Sequence, residues 1–134
     1  MYIQPENIIQ NFEMTRLIEL VNENGGSNVP DEEKLQRICD YVNNLIDDSL
    51  RGKYSLPLNP IPETLKEIAF QIAKYKLYEL RNAVNDSIYK SYEMNMKLLK
   101  EYSEGRGRIL NSGDDRSNNP FYIKINRRVK KIAE

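Results

Sequence analysis

A stripe of apolar side chains between residues 35 and 50 constrains the fold of this chain more than any other feature. Each member has another member three or four residues away: Leu35, Ile38, Cys39, Val42, Leu45, Ile46 and Leu50. That spacing matches the turn of an α-helix and places all of them on one face. Asp31 is a suitable N-cap before the stripe, and Gly52 is a suitable stop behind it. The chain therefore has to bury a long amphipathic helix against other elements.

The segment that follows this helix cannot be helical. Residues 54–62 read YSLPLNPIP, and prolines at this density remove backbone donors and exclude the helical conformation from the residues before them. The segment is nevertheless rich in apolar side chains. We expect an extended loop that packs on the core.

Three further segments show helical periodicity. Residues 5–21 predict two short helices or one bent helix, before a glycine-containing loop over residues 22–30. A helix over 63–82 is expected to bury the following side: Leu65, Ile68, Ala69, Ile72, Ala73, Lys76 and Leu80. A last helix, capped by Asp86 and ended near residue 104 by Gly105, has this inner face: Ile88, Tyr89, Tyr92, Met96, Leu99 and Tyr102. The fold class is all-α, a compact bundle of four to five helices over residues 1–110, with an extended C-terminal arm over 111–134.

The residue types argue against catalysis. The chain has no histidine and one cysteine, which removes the commonest general base and the usual zinc ligands. Cys39 belongs to the apolar stripe and is expected to be buried and inert. Asp47 and Asp48 are adjacent on a helix and diverge by about 100°, so they do not converge on one ion. We expect no enzyme, no catalytic residue, no cofactor and no metal site.

The same residue types suggest where the protein resides. The longest stretch without a charge, residues 54–62, is much too short for a membrane-spanning helix, and the N-terminus does not resemble a secretion signal. A lone cysteine suits a reducing compartment. We expect a cytosolic protein without membrane contact.

Charge is unevenly distributed along the chain although the total is zero. Residues 1–50 carry three basic and ten acidic side chains, residues 51–110 carry eleven and seven, and residues 111–134 carry six and three. Such a chain can stack head to tail on its own copies or on a partner. Solvated helix faces followed by one basic tail would give the same pattern.

The arm combines apolar anchors with a basic cluster: Phe121, Tyr122, Ile123, Ile125, Arg127, Arg128, Lys130 and Lys131. The anchors could enter a groove of a partner, and the basic side chains could contact phosphates without reading sequence. A tail without any partner is the third possibility. The tyrosines of the two last helices are also open to two interpretations, core packing or an interface: Tyr75, Tyr78, Tyr89, Tyr92 and Tyr102.

The run from Leu45 to Leu58 (LIDDSLRGKYSLPL) and the later run IAKYKLY with its following arginine resemble the Mu-type gene-product-36 family of phage and prophage proteins. The residues that carry this resemblance are Asp47, Leu50, Tyr54, Leu56, Pro57, Leu58, Pro62, Ile72, Ala73, Tyr75, Leu77, Tyr78 and Arg81. The similarity covers residues 1–110 and departs from the family pattern at Ser49, Lys53 and Asn95. We call these thirteen matching residues the signature residues.

The resemblance implies a non-enzymatic structural protein at the head-to-tail joint of a phage particle. It implies a ring-forming adaptor or head-completion protein under the portal, whose partners are its own copies, the portal and neighbouring joint proteins. Such a protein resides in the cytoplasm of the bacterial host before assembly and in the virion neck afterwards. At most, it makes non-specific contact with packaged DNA.

An alternative function is a small DNA-binding module that uses the basic C-terminal tail. It predicts DNA binding that weakens steeply with salt. The charge of residues 1–110 opposes it, because the body of a DNA-binding domain usually presents a basic face.

Overall fold

Five α-helices build the part of the chain that the computed structural model describes, residues 1–23 and 27–105. They are α1 (Pro5–Asn11), α2 (Met14–Val21), α3 (Glu32–Leu50), α4 (Glu63–Glu79) and α5 (Asp86–Ser103), and these residues contain no strand. The predicted all-α bundle is confirmed, and the N-terminal region forms two helices. The C-terminal arm and the boundary predicted at residue 110 lie outside the described residues.

Polar side chains at the helix starts explain where several helices begin. The carboxylate of Glu13 accepts from the backbone N–H groups of Thr15 and Arg16 ahead of α2, and Asp31 accepts from the N–H of Lys34 at α3, as predicted. The cap of α5 is Asn85, whose Oδ1 accepts from the N–H of Ile88 at 2.9 Å. The prediction of Asp86 as that cap was wrong by one residue; Asp86 is the first residue of the helix.

The two long central helices carry most of the core. α4 packs against α2, α3 and α5, and α3 also packs against α1 and α5. The stripe on α3 is buried as predicted, except that Leu45 is half-buried. On α4 the last residue of the predicted buried side, Leu80, is exposed because the helix ends one residue before it. Leu77 is buried at this end of the helix.

The proline-containing segment closes one side of the bundle. It is not helical, and the peptide bonds before Pro57 and Pro60 are cis. Tyr54, Leu58 and Pro62 are buried, so the segment packs on the core as expected. α3 ends at Leu50 with Arg51 as its C-cap, so Gly52 stands directly behind the helix, as predicted. Gly105 takes the same position after α5, in the left-handed conformation with φ 81°. Among the described residues no helix is both long and apolar enough to cross a bilayer.

Candidate interaction surface

The signature residues are distributed through the fold and do not form one site. Most belong to the core, where these are buried: Leu50, Tyr54, Leu58, Pro62, Ile72, Ala73 and Leu77. Leu56 is half-buried against that core, and Pro57 is exposed. The remaining four, Asp47, Tyr75, Tyr78 and Arg81, make polar or aromatic contacts at the surface of the bundle. The signature therefore records mainly how the chain folds.

Asp47 holds the N-terminal segment on α3. The hydroxyl of Tyr2 donates to its carboxylate at 2.7 Å, and one turn earlier the buried side chain of Asn43 pairs with the backbone. Asn43 Oδ1 accepts from the N–H groups of Tyr2 (2.9 Å) and Ile3 (3.2 Å), and its Nδ2 donates to the carbonyl of Ile3 (3.0 Å). We call this arrangement the N-terminal clamp. Burial, followed by the hydrogen bond to Asp47, raises the pKa of Tyr2 well above its usual value of 10.0.

Arg81 and Tyr54 each join two parts of the chain. The guanidinium of Arg81 donates to the carbonyls of Asn22 and Glu19, which lie at the C-terminal end of α2 and have no partner within that helix. The hydroxyl of Tyr54 donates to the carbonyl of Tyr102 at 2.7 Å, so it ties the proline-containing segment to the end of α5. Both side chains stabilise the fold.

Four tyrosines from three helices form an aromatic surface that we call the tyrosine patch: Tyr41 of α3, Tyr75 of α4, and Tyr89 and Tyr92 of α5. Tyr75 and Tyr92 stack with ring centroids 3.9 Å apart and planes 15° apart. The ring centroid of Tyr89 lies 6.4 Å from that of Tyr75 and 6.5 Å from that of Tyr92. Tyr41 and Tyr89 remain 48% and 46% exposed. The patch therefore presents ring surface to solvent while its inner pair is fixed by stacking.

Charged side chains lie within and beside the patch. The ammonium of Lys76 lies 4.7 Å from the centroid of the Tyr41 ring and 3.1 Å from the carboxylate of Glu79. Burial has the largest single effect and opposes the charged form of Lys76, but the hydrogen bond and the charge of Glu79, together with Tyr41 and Tyr92, outweigh it and raise the pKa of Lys76. Asp86 and Glu93 stand three residues before and four residues after Tyr89 on α5, so the helix places them on either side of that ring.

The structure separates the tyrosines that the sequence left ambiguous. Tyr102 is buried, and Tyr78 packs against Phe12 and Arg16 on another side of the bundle. Tyr75, Tyr89 and Tyr92 form the patch, so the prediction that Tyr89 faces inward was wrong. Sequence reasoning missed Tyr41, although a signal existed, since this tyrosine occupies an outward position of a strongly amphipathic helix.

The described residues offer little for chemistry. Among them no group of three histidine, cysteine or carboxylate side chains could hold a metal ion. Cys39 is fully buried, and burial raises the pKa of its thiol to about 11, so this thiol is neutral and inaccessible at neutral pH. A groove of about 560 Å³ runs between the N-terminal segment and α4. The two carboxylates that line it already have partners, since Glu63 pairs with Lys66 and Glu67 accepts from Gln71.

The arm residues named from the sequence, from Phe121 to Lys131, lie outside the described residues, so their contacts are not part of this geometry. The site that the structure does bring together is the tyrosine patch. Its exposed rings suit binding to another macromolecule, because tyrosine is enriched at protein interfaces and among the residues that dominate their binding energy.

Comparison with known proteins agrees with the signature. The family model described as Bacteriophage Mu, Gp36 matches residues 2–120. The Mu-like prophage FluMu protein gp36 of Haemophilus influenzae is 27% identical over 115 residues, which cover 86% of this chain and 79% of that protein. The match extends beyond residue 110, where the resemblance was expected to end. Since it spans most of the chain, the protein belongs to the phage Mu Gp36 family.

Proposed function

We propose that this protein is a non-enzymatic structural component of the head-to-tail joint of a phage particle. In this role it is an adaptor or head-completion protein that forms a ring under the portal. Membership of the Gp36 family supports a phage protein. The observation that carries the more specific role is the tyrosine patch, an exposed surface built for contact on a chain whose described residues offer no catalytic arrangement.

The ring is made by repeating one heterologous contact, in which different surfaces of neighbouring copies meet. The tyrosine patch supplies the centre of that contact, since buried tyrosines dominate binding energy at many interfaces. The uneven charge supports the same geometry, because the acidic first half of one copy can face the basic second half of the next. The arm from Pro120 to Lys131 docks on the portal, with its four apolar residues as anchors and its basic residues near acidic protein surface or DNA.

The test is the mass in solution of the purified full chain, alone and mixed with the portal protein of the same phage. The proposal expects a ring or a stable complex with the portal. A chain that stays monomeric and ignores the portal would contradict it. Tight binding to double-stranded DNA that falls steeply with salt would favour the DNA-binding module instead.

Two variants locate the contacts. Tyr41→Ser combined with Tyr89→Ser is expected to weaken assembly by at least about tenfold, because each removes exposed aromatic area of the kind that forms interface hot spots. Met94→Ser is the matched control, since Met94 is exposed on α5 outside the patch. Deletion of residues 111–134 is expected to abolish portal binding and to leave the helical bundle folded. Unchanged portal binding after that deletion would refute the role of the arm.

A further inference from the structure

The tyrosine patch also has a candidate occupant within the chain itself. The described residues carry twelve basic and seventeen acidic side chains, whereas residues 106–134 carry eight basic and three acidic ones. The folded body is thus as acidic as the C-terminal segment is basic. We propose that residues 120–131 dock on the tyrosine patch of their own chain. This proposal concerns the isolated protein and does not depend on the proposed function.

The chemistry of the patch matches this segment. Tyr89 lies between Asp86 and Glu93, and neither carboxylate forms an ion pair with another residue that the structure describes. An arginine can stack its guanidinium on an exposed tyrosine ring and pair with an adjacent carboxylate at the same time. Arg127 and Arg128 supply such groups.

The molecule already contains contacts of this kind. Arg16 lies over the ring of Tyr78 at 5.2 Å, and Lys76 lies over Tyr41 at 4.7 Å. The positive charge of Lys76 within the patch does not oppose a basic segment strongly, because Glu79 pairs with it. Lys90 follows Tyr89 on α5, and the three carboxylates of Glu79, Asp86 and Glu93 still outnumber Lys76 and Lys90 at the patch.

Chain geometry permits the contact. Tyr89 lies fourteen residues before Ser103 on α5, a distance of about 21 Å along the helix axis. Residues 106–119 can span at most roughly 48 Å, so residue 120 can reach the patch. Because patch and segment belong to one chain, the effective concentration is of the order of millimolar, and a contact with a Kd of about 1 mM is occupied about half of the time. A second copy reaches that concentration only in very concentrated solution.

The experiment uses the full chain with Asn126→Cys and a nitroxide spin label on the introduced thiol. Cys39 is buried, and the unsubstituted chain treated with the same reagent checks that it takes up no label. The backbone amide signals of Tyr41, Tyr89 and Glu93 are expected to lose most of their intensity at low salt, because the broadening by a nitroxide rises so steeply at short distance that a contact occupied about half of the time dominates it. They are expected to recover at about 1 M salt, which screens the charges.

Variants and a mixing control decide the outcome. Tyr41→Ser with Tyr89→Ser, and separately Asp86→Asn with Glu93→Gln, are expected to abolish the loss of intensity, whereas Met94→Ser is expected to retain it. No loss in the labelled chain, or a loss that persists in both double variants, overturns the proposal. In the mixing control, isotope-enriched chain without the spin label is mixed with spin-labelled chain that is not isotope-enriched. A loss in this mixture as large as in the labelled chain also overturns the proposal, because it assigns the contact to a second copy. None of these measurements involves the portal, so failure here leaves the proposed function standing.

Discussion

The buried and the exposed tyrosines of this bundle have opposite surroundings. Tyr2 and Tyr54 lie in the core, and their hydroxyls donate to a carboxylate and a backbone carbonyl that are far away in sequence. Tyr41 and Tyr89 leave nearly half of their surface in solvent. The same residue type thus stabilises the fold in one region and remains available to a partner in the other. Burial and hydrogen bonding separate the two roles, which composition cannot do.

The largest expected effect concerns the N-terminal clamp. Asn43→Ala removes three hydrogen bonds to the backbone of Tyr2 and Ile3 and leaves buried polar groups without partners. We expect the free energy of unfolding to fall by about 3 kcal/mol. Urea denaturation measures it. Asn44→Ala, at the exposed neighbouring position, is the matched control and should stay within about 0.5 kcal/mol of the parent. Equal values for the two variants would mean that the clamp contributes nothing.

Tyr2→Phe removes one bond of the same clamp and is expected to have the next largest effect. The lost hydrogen bond ends on a carboxylate, which is partly exposed, so we expect a loss of about 1.5 kcal/mol at neutral pH. Denaturation of Tyr2→Phe and of Tyr2→Phe with Asp47→Asn would show whether the two side chains act as one unit, since the second change should then cost little more.

Alkaline pH sharpens the same comparison. The pKa of Tyr2 is raised in the folded state, so its contribution to stability is fully present below pH 10.0, the usual value, and is lost as the pH rises toward the folded-state pKa. Stability of the parent should therefore fall more steeply above pH 10.0 than that of Tyr2→Phe. Cys39 and Tyr102, whose pKa values are also raised by burial, titrate in both proteins and cancel in the difference. Parallel curves for the two proteins would contradict the assignment.

Tyr54→Phe tests the second buried tyrosine and should cost less. The carbonyl of Tyr102 keeps the bond that it accepts from the N–H of Gly105 at 2.9 Å, so it is not left without a donor. We expect a loss of about 1 kcal/mol, the typical net value of one hydrogen bond. Thermal denaturation together with urea denaturation provides the measurement, and a loss above that of Asn43→Ala would reverse the proposed order.

The exposed tyrosines should change stability least. Tyr41→Ser and Tyr89→Ser each remove solvent-exposed ring surface and weak ring or cation contacts, so we expect changes within about 0.5 kcal/mol. Met94→Ser again serves as the matched control. If either tyrosine variant unfolded as easily as Asn43→Ala, the patch would be part of the folding core, and its assignment as an interaction surface would fail.

The sequence predicted the helices well because each has a clear apolar periodicity. The stripe on α3 gave its buried face and its Asp31 cap, and the prolines after Tyr54 gave the loop. The predicted inner face of α5 went wrong at Tyr89, because tyrosine suits both a core and a surface and the periodicity there admits either. Asn85 and Asp86 are both good caps, so the sequence could not decide between them.

The candidate site was less predictable, since it depends on contacts between distant residues. Asn43 was not singled out, because a buried asparagine is satisfied only by backbone groups that arrive from residues 2 and 3. Asn95 is also buried, and it donates to the carbonyl of Ser91 one turn earlier. Likewise, Tyr41 joins Lys76 only when α3 and α4 are packed together. The residue types along the chain do not predict these contacts between distant residues.

The N-terminal clamp also bears on the order of events during folding. Its hydrogen bonds join residues 41 and 45 positions apart, whereas the most extensive helix packing, α4 on α5 and α3 on α4, joins helices that are next to each other in the chain. Closing the longer loop costs more entropy, so we expect it to close after the central helices have met. Replacing Asn43 would then mainly accelerate unfolding and leave the folding rate nearly unchanged. Residues 2 and 3 leave the ribosome before the helices on which they pack, yet they would be among the last to reach their final positions.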